Sequence, residues 1–465
     1  MAFEFASVSL PSASLFQFPP NPNSGFIPPP PAGTTAFAPP IDIPDHIYTA
    51  VLDAKVPITI AAVYAVTAKA LNAYNKANGK KPWAISKTRA FRWFVIAHNV
   101  FLAVYSAWTW WGMLGAMRRS VISPLGPQGI SGSLDSLCQI NGPAGLGNAV
   151  FFEDKTNSWR TYSPDVVLAQ DGTPSRFTTG RMWNEGLAFY GWLFYLSKYY
   201  EVLDTLIILA KGKYSSTLQT YHHAGAMMCM WAGMRYMAVP IWIFVFFNSF
   251  IHAMMVSSPY PHVAAVGERD DRTDNNLQYT YYTVTALNIR VPMIIKRSLT
   301  TMQITQFLVG ASCAMVHSFI NYSIPVIASS QTDAPAASAS DAVVAATGDL
   351  PGKFKDHFAR QAMPCITSSG QTFAVWLNVF YLAPLTYLFV SFFVESYLRR
   401  SNASQSGRRG TSAGVAARRL SNNVQMAEKA GWEAAKNVER EVYGESSEAV
   451  VDDEAKKANG QVPRR

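Results

Sequence analysis

The chain alternates long apolar runs with polar segments rich in proline, serine and charged residues. Seven of these runs come close to the ~20 residues that a bilayer core requires, and the fifth is the shortest. They lie near residues 51–73, 91–117, 186–210, 218–238, 239–256, 302–328 and 373–398. Because a span must satisfy its backbone hydrogen bonds internally, each run is expected to be helical. The pattern predicts an all-α polytopic membrane protein of seven transmembrane helices, and a soluble all-α core is the alternative.

The composition favours the membrane interpretation. Of 465 residues, 49% are hydrophobic, 13% aromatic and only 15% charged, which is a poor mixture for soluble domains of that total length. The formal net charge of +9 raises the question of nucleic acid. No basic patch interleaved with aromatic residues and no zinc-ligand spacing accompanies that charge, so nucleic acid is not an expected partner.

Basic residues gather after alternate spans, namely the first, third, fifth and seventh. The four groups are Lys76, Lys80, Lys81, Lys87 and Arg89; Lys211 and Lys213; Arg290, Lys296 and Arg297; and Arg399, Arg400, Arg408 and Arg409. The positive-inside rule places these segments in the cytosol, so the C-terminus is expected there and the N-terminus on the other side. Arg118 and Arg119 depart mildly from this pattern.

Three regions follow from these patterns. Residues 1–45 are rich in proline and phenylalanine and are expected to form a disordered tail, without the basic and apolar regions of a cleavable signal. Residues 46–400 form the seven-span domain. Residues 401–465 are expected to be a disordered cytosolic tail.

Two of the four cysteines lie in long loops assigned to the non-cytosolic side. These are Cys138 and Cys365, and oxidation is permitted in that compartment. We predict a disulfide between them, and two free thiols are the alternative.

The third span carries three ionisable residues with helical spacing. Lys198, Glu201 and Asp204 stand at i, i+3 and i+6, so they form one polar stripe. Ionisable groups are costly in a bilayer, which marks the stripe as a functional candidate that faces a cavity. A purely structural ion-pair network is the alternative.

The next three spans also carry polar groups. His222 and His223 open the fourth span, and adjacent helical residues point about 100° apart, so at most one faces a given substrate atom. On the fifth span, Asn248 lies one turn from His252 and suits fixing its tautomer. On the sixth span, the three-residue spacing recurs at Thr300, Gln303 and Gln306. Four successive spans therefore bring polar patches to the interior.

Four motifs on these spans resemble the boxes of the ELO family of fatty acid elongases. KYYEVLDT (198–205) resembles the KxxExxDT box, QTYHH (219–223) the HxxHH box, NSFIHAMM (248–255) the NxxxHxxMY box and TTMQITQ (300–306) the TxxQxxQ box. KPW (81–83) and HN (98–99) extend the similarity to roughly residues 50–400. Gln219 stands where that box has its first histidine, a form that looks closest to fungal and polyunsaturated-type members.

The resemblance implies a condensing enzyme of the endoplasmic reticulum membrane, a very-long-chain 3-oxoacyl-CoA synthase whose seven helices enclose an acyl tunnel. Such an enzyme joins acyl-CoA to malonyl-CoA, releases CO2 and CoA, and leaves a 3-oxoacyl-CoA two carbons longer. Imidazole is a competent nucleophile toward a thioester and a good leaving group from an acyl-imidazole. Neither step needs a metal, so no cofactor is expected.

The resemblance also implies roles for individual residues. By the family's pattern, His222 would take the acyl group, His252 would assist its activation or the decarboxylative attack, and His223 would support the site. Asn248 and Gln219 would hold or polarise the reacting groups. The residues expected to bind substrate or organise its cavity are Lys198, Glu201, Asp204, Thr205, Tyr279, Gln303 and Gln306, with Lys211 and Lys213 attracting the phosphates of CoA.

The implied partners are the bilayer and the three enzymes that complete an elongation cycle: a 3-oxoacyl-CoA reductase, a dehydratase and an enoyl reductase. Whether the enzyme is a homodimer is left open. Two other functions are alternatives. A membrane di-iron desaturase or hydroxylase needs about eight clustered histidines, whereas three of the eight here, His46, His262 and His357, fall in predicted loops. A seven-span lipid receptor or transporter would account for the number of spans, but not for histidines and carboxylates on consecutive spans.

A polar segment interrupts the fifth-span motif. HAMM ends at Met255, and YTYYTVTALN begins at Tyr279, after residues 256–278 with two prolines and a charged cluster. We hypothesise that this segment is a translated intron, since its ends can be encoded as splice-like sites and its deletion restores a continuous apolar helix. A genuine extramembrane loop between two shorter helices is the alternative.

Overall fold

The computed structural model describes residues 6–34, 39–254, 293–327 and 358–394. The chain divides into two compact units, residues 1–389 and 390–465, and the few described residues of the second unit are helical. Several sequence predictions lie outside the described residues. These are the substrate role of Tyr279, the insertion at 256–278, and the tail at 401–465.

Within the described residues there are ten α-helices, numbered in chain order. They are α1 (Asp45–Val51), α2 (Lys55–Ala77), α3 (Arg89–Ser120), α4 (Gly129–Cys138), α5 (Ala188–Tyr200), α6 (Val202–Ala210), α7 (Thr217–Arg235), α8 (Ile241–Met254), α9 (Met293–His317) and α10 (Ser369–Phe393). The protein is therefore mostly helical, with five short strands described below.

Four of these helices contain stretches long and apolar enough to cross a bilayer. The stretches are Lys55–Ala77, Arg89–Ser120, Ser298–His317 and Ser369–Ser391, and α8 is a shorter apolar helix. The chain is thus a multi-pass membrane protein. The remaining predicted spans correspond to α5 with α6, to α7 and to α8, and the count of seven stays a prediction.

The third predicted span is not one regular helix. It begins with a π-helical turn at Trp183–Leu187, in which Gly186 has φ 138°. The helix breaks again at Glu201, where α5 ends and α6 begins. Glycine has no Cβ and adopts such a positive φ without a steric clash, which explains glycine at position 186. The second break lies inside the polar stripe of this span.

The sixth predicted span, 302–328, was wrong in its last third. Helix α9 ends at His317, and β4 (Ile320–Ile327) follows it. Tyr322 and Ile324 are buried in this strand while Pro325 is exposed, which is the alternation of a strand with one covered face. Lys296 and Arg297, predicted to lie in a loop, belong to α9.

A small sheet covers one end of the helical bundle. Strands β1 (Ala6–Val8), β4 and β5 (Phe358–Pro364) are antiparallel in the order β1-β4-β5, with Tyr322 opposite Ala6 and Met363. Strands β2 (Phe151–Glu153) and β3 (Ser158–Arg160) form a separate hairpin. Cys138 and Cys365, predicted to pair, form a disulfide with a Cα–Cα distance of 4.6 Å. We call this the disulfide end.

Buried polar groups reinforce the disulfide end. The Arg181 guanidinium lies 2.5 Å from Asp135 Oδ2, and both side chains are almost fully buried. The Tyr322 hydroxyl donates to Asp135 Oδ1 at 2.8 Å. Arg119, which departed from the charge pattern, lies 2.7 Å from the Glu185 carboxylate. The Glu185 carboxylate therefore neutralises the Arg119 charge at the disulfide end.

The tail predicted to be disordered over residues 1–45 is ordered where the structure describes it. We call residues 6–34 the N-terminal strap. Its strand β1 pairs with β4, its Ile27 is 3% exposed, and the indole of Trp183 donates to the Ile27 carbonyl at 3.0 Å. Arg235 at the end of α7 donates to the Pro22 carbonyl. The strap is ordered because it buries apolar side chains and accepts hydrogen bonds from Trp183 and Arg235. Its low-complexity composition did not predict these contacts.

The opposite end carries two short loops fixed to each other by one asparagine. Asn75 Nδ2 donates to the carbonyls of Leu209 and Lys213, and the Trp83 indole donates to Asn75 Oδ1 at 2.8 Å. A Cβ at Gly212 would overlap the Lys80 carbonyl, and its φ is +74°. These loops bring together four lysines, Lys80, Lys81, Lys211 and Lys213, and we call this the lysine end.

Candidate active site

The predicted histidines lie toward the lysine end of the bundle. Helix α7 starts at the N-cap Ser216, whose hydroxyl accepts from the Gln219 amide at 3.1 Å. His222 follows six residues after this cap, about 9 Å along the helix. The preceding Gly212 loop and the cap together fix the depth at which α7 enters the bundle. The imidazoles are therefore within the apolar part of the molecule.

The polar stripe of α5 and α6 is a buried ion pair joined to α8. Lys198 Nζ lies 2.6 Å from Glu201 Oε1, and both side chains are at most 5% exposed. The same ammonium donates to Asn248 Oδ1 at 3.2 Å. Pairing offsets part of the cost of burying both charges, which would otherwise be several kcal/mol for each. The stripe thus faces the interior, and it brings the fifth-span asparagine to the third span.

The second carboxylate oxygen of Glu201 points toward α7. Glu201 Oε2 lies 3.7 Å from His223 Nδ1, too long for a hydrogen bond but close enough for a strong electrostatic interaction. His252 on α8 is also within electrostatic range of Glu201, Lys198 and His223. Three successive predicted spans therefore converge on one charged centre.

His222 occupies a different environment from its neighbour. The phenyl rings of Phe307 and Phe389 pack against each other with centroids 5.1 Å apart, and each centroid lies 6.4 Å from that of the His222 ring. The His223 ring lies 5.4 Å from the His222 ring. Its Nδ1 lies 2.9 Å from the Tyr381 hydroxyl. The two adjacent histidines have separate partners, as their angular separation on a helix requires.

Asp204 and Thr205 contact residues from the first two long helices. Asp204 Oδ1 lies 2.7 Å from His98 Nε2 on α3, and the Thr205 hydroxyl lies 2.8 Å from the Tyr64 hydroxyl on α2. The Tyr64 ring also packs edge-on against His223 with centroids 6.2 Å apart. These two predicted site residues thus hold the framework around the histidines together.

The three glutamines of the predicted site keep polar atoms without a partner. Among the described residues, the side-chain oxygens of Gln219, Gln303 and Gln306 accept no hydrogen bond, and neither does Glu201 Oε2. Gln303 is 4% exposed and lies one turn before Phe307, on the face of α9 that reaches His222. Buried acceptors without donors are costly, and they concentrate where a polar ligand could donate to them.

An apolar cavity of about 440 Å³ adjoins Gln306 between α3, α8 and α9. Trp110, Phe246 and Phe250 contribute to its lining. Phe247 and Val309, which also line it, are exposed, so this space opens to the outside of the bundle. It is therefore an outward groove, and the enclosed acyl tunnel stays a prediction.

The lysine end lies beyond the histidines, on the side where α6 ends. Lys213 is exposed and Lys211 is half-buried. Burial lowers the pKa of Lys211, and the neighbouring charge of Lys213 lowers it further. The ammonium of Lys80 lies 4.8 Å from the centre of the Tyr214 ring. A multiply charged anion at this end would offset the repulsion between these lysines.

Sequence reasoning missed two tyrosines that contact the histidines. Tyr64 comes from the first predicted span and Tyr381 from the last, and neither lies in a motif noted above. A tyrosine within an apolar helix is a common way to fill space with an aromatic ring, so its type alone gave no signal. Only the packing of distant helices places the two hydroxyls here.

The side chains of the candidate site indicate which chemistry it suits. Within residues 6–34, 39–254, 293–327 and 358–394, no group of three His, Cys, Asp or Glu side chains is placed to hold a metal ion. The site instead combines imidazoles, a paired ammonium and amide side chains. Such groups suit acyl transfer and stabilisation of developing negative charge on oxygen.

Comparison with known proteins agrees with the motifs. A family model described as "ELO: GNS1/SUR4 family" matches residues 49–405. No solved structure is significantly similar to the chain.

Three curated relatives illustrate the sequence similarity. "Fatty acid elongase sre1" of Dictyostelium discoideum is 32% identical over 127 residues, 27% of this chain and 38% of that protein. "Very long chain fatty acid elongase 3" of Homo sapiens is 28% identical over 128 residues, 28% of this chain and 39% of that protein. "Fatty acid elongase 2" of Trypanosoma brucei brucei is 25% identical over 228 residues, 49% of this chain and 62% of that protein. The chain therefore spans less than two thirds of the length of each.

Proposed function

Because the chain belongs to the ELO family, also described as the GNS1/SUR4 family, we propose that it is the condensing enzyme of a fatty acid elongation cycle. Its substrates are an acyl-CoA and malonyl-CoA, and its products are a 3-oxoacyl-CoA, CO2 and CoA. The observation that carries this proposal is the convergence of α5, α7 and α8. Lys198 Nζ lies 2.6 Å from Glu201 Oε1 and 3.2 Å from Asn248 Oδ1, and Glu201 Oε2 lies 3.7 Å from His223 Nδ1.

The first half-reaction is acyl transfer to His222. An imidazole nitrogen attacks the thioester carbonyl, the C–S bond breaks, and the CoA thiolate leaves and takes up the proton released by the imidazole. The resulting acyl-imidazole keeps the acyl group inside the bundle. The rings of Phe307 and Phe389 pack together on one side of His222 and would limit access of water to this intermediate from that side.

The second half-reaction forms the carbon–carbon bond. Malonyl-CoA loses CO2, and the electron pair of the broken carbon–carbon bond forms the enolate of acetyl-CoA. The α-carbon of this enolate attacks the acyl-imidazole carbonyl. The imidazole leaves with its electron pair and takes up one proton from solvent, which restores neutral His222, and a 3-oxoacyl-CoA results. Lys198 and the side-chain amide of Asn248 would stabilise charge on the thioester oxygen, and His252 and His223 would assist. Gln219, Gln303 and Gln306 would hold polar groups of the substrates.

The lysine end is suited to the CoA part of both substrates. The two loops of this end carry four lysines, and phosphates bind ammonium groups by charge-assisted hydrogen bonds. We propose that the lysine end and the C-terminus lie in the cytosol, as the positive-inside rule favours, and that the disulfide end lies in an oxidising lumen. The endoplasmic reticulum meets both requirements. The reductases and the dehydratase of the cycle would act on the product from the cytosolic side, and the reaction would need no cofactor.

The proposal is tested by expression in elongase-deficient cells followed by acyl-chain profiling. Each membrane preparation is assayed for release of labelled CO2 from malonyl-CoA that depends on acyl-CoA. We expect activity that His222→Ala abolishes. A chain lacking residues 256–278 is assayed in parallel, because the intron hypothesis predicts that deletion raises activity. Absence of condensation in both chains contradicts the proposed function.

A further inference from the structure

We propose that Tyr381 is a positioning residue that holds His222 in the tautomer with its proton on Nδ1, which leaves the lone pair of Nε2 for the acyl group. This inference rests on the proposed function. It assigns a role to a residue of α10 that lies outside the family's boxes.

The geometry around the Tyr381 hydroxyl determines the direction of its hydrogen bonds. The hydroxyl oxygen lies 2.9 Å from the backbone carbonyl oxygen of His222 and 2.9 Å from Nδ1 of the same residue. A carbonyl oxygen can only accept, so the single hydroxyl proton is donated to it. The hydroxyl must then accept from Nδ1, which therefore carries the imidazole proton. The neutral ring has no second proton, so Nε2 keeps its lone pair.

The remaining surroundings of His222 agree with this assignment. Among the described residues, Nδ1 is the only imidazole nitrogen of His222 with a hydrogen-bond partner, and the rings nearest to this imidazole are those of Phe307, Phe389 and His223. Nothing from those residues competes with Tyr381 for the choice of tautomer. The nitrogen opposite the tyrosine is the one available for chemistry.

Two neighbours on α7 hold Tyr381 in place. The Tyr221 hydroxyl donates to the Tyr381 carbonyl at 3.2 Å, and the two rings pack with centroids 5.5 Å apart. Gly225 faces the ring directly, because a Cβ there would overlap its edge atoms. Glycine one turn after His222 is thus what allows a tyrosine from another helix to reach both atoms of His222.

The direct test is the protonation pattern of His222 in the full-length protein. Histidine labelled with nitrogen-15 is incorporated, and the His222 signals are identified by their loss in His222→Ala. We expect an N–H signal from Nδ1 and an unprotonated Nε2 in the wild-type protein. A wild-type protein with its proton on Nε2 overturns the inference, and this result needs no variant of Tyr381 to fold.

Variants then connect the tautomer to acyl transfer. Tyr381→Phe keeps the ring and removes the hydroxyl, so the His222 proton should move toward Nε2. The rate of CoA release from acyl-CoA without malonyl-CoA should fall about tenfold or more, with an unchanged KM, since a wrongly protonated imidazole lacks its reactive lone pair. Gly225→Ala, which displaces the ring, should reproduce both changes. Tyr387→Phe, on the same helix and 42% exposed, is the matched control that should change neither.

Outcomes for the two proposals are separable. A wild-type chain without condensing activity contradicts the proposed function, while the tautomer is still measured by its nitrogen signals. An active wild-type chain whose Tyr381→Phe variant keeps both the tautomer and the acylation rate contradicts the role of Tyr381 alone.

Discussion

His98 Nε2 lies 2.7 Å from Asp204 Oδ1, and this contact joins the second long helix to the third predicted span. The imidazole is fully buried and the carboxylate is 13% exposed. Tyr200 packs against the same imidazole with a centroid distance of 5.1 Å. The pair therefore fixes α6 against α3.

Replacing Asp204 by Asn should destabilise the protein more than it impairs substrate binding. The substitution removes the carboxylate charge and leaves the buried His98 imidazole without its ionic partner. The free energy of unfolding should fall by about 3 kcal/mol. Thermal unfolding in detergent should show a lower Tm, and the KM of any remaining activity should be unchanged. Arg160→Ala is the control, because it breaks an exposed pair with Glu153 and should not shift Tm measurably. An unchanged Tm in Asp204→Asn would show that the contact is not structural.

The Lys198–Glu201 pair should behave as one unit in a double-mutant cycle. Lys198→Met and Glu201→Gln should each lower the condensation rate and the Tm, because each leaves the other charge buried without its partner. The Tm loss in the double variant should be smaller than the sum of the two single losses. The cycle is measured by CO2 release and thermal unfolding. Strict additivity of the Tm losses would contradict a direct pair.

The disulfide should stabilise the end of the bundle that carries the sheet. It links residues 227 positions apart, so its loss frees a long stretch of chain and should cost about 2–4 kcal/mol. Reductant should therefore lower the Tm of the wild-type protein, and Cys138→Ala should lower it to the same value without reductant. In a Cys229→Ala, Cys313→Ala double variant the sensitivity to reductant should persist. A wild-type Tm that reductant does not change would argue against the bridge.

Lys211 is expected to lower the stability of the folded protein and to contribute to substrate binding. Burial and Lys213 lower its pKa, so the folded state releases this proton at a lower pH than the unfolded state does. Stability is therefore reduced below the folded pKa and rises as the pH increases from there toward the ordinary lysine value. Lys211→Met should raise the Tm at neutral pH and flatten its rise at alkaline pH. The KM for malonyl-CoA should increase, because one phosphate contact is lost.

The exposed Lys87 provides a matched control at the same end of the bundle. Lys87→Met should leave the Tm and its pH dependence unchanged. A Lys211→Met variant with a lowered Tm would show that the ammonium is not a net cost to folding. An unchanged KM would show that Lys211 does not contact CoA.

Local sequence pattern accounts for much of the helical framework. Apolar runs of spanning length predicted α2, α3, α9 and α10, because a bilayer imposes length and apolarity on any helix that crosses it. Helical spacing predicted that Lys198, Glu201 and Asp204 share a face. The position of Cys138 and Cys365 in long loops on the predicted non-cytosolic side predicted the disulfide. These features depend on neighbours in the chain or on the solvent, so a single sequence contains them.

Boundaries and order depended on contacts that spacing does not encode. Residues 320–327 are apolar enough for a helix, but pairing with β1 and β5 makes them a strand. The N-terminal strap looked too simple to fold alone, and it is ordered because the bundle offers it partners such as Trp183.

The sequence by itself determined which helices carry imidazoles, carboxylates and amides, since periodicity assigns each residue to a face of its own helix. Only the tertiary structure decided which of these groups meet: Glu201 with His223, Asp204 with His98, and Tyr381 with His222. The physical reason is that helix rotation and depth are set by side-chain packing between segments distant in the chain, such as Gly225 against Tyr381.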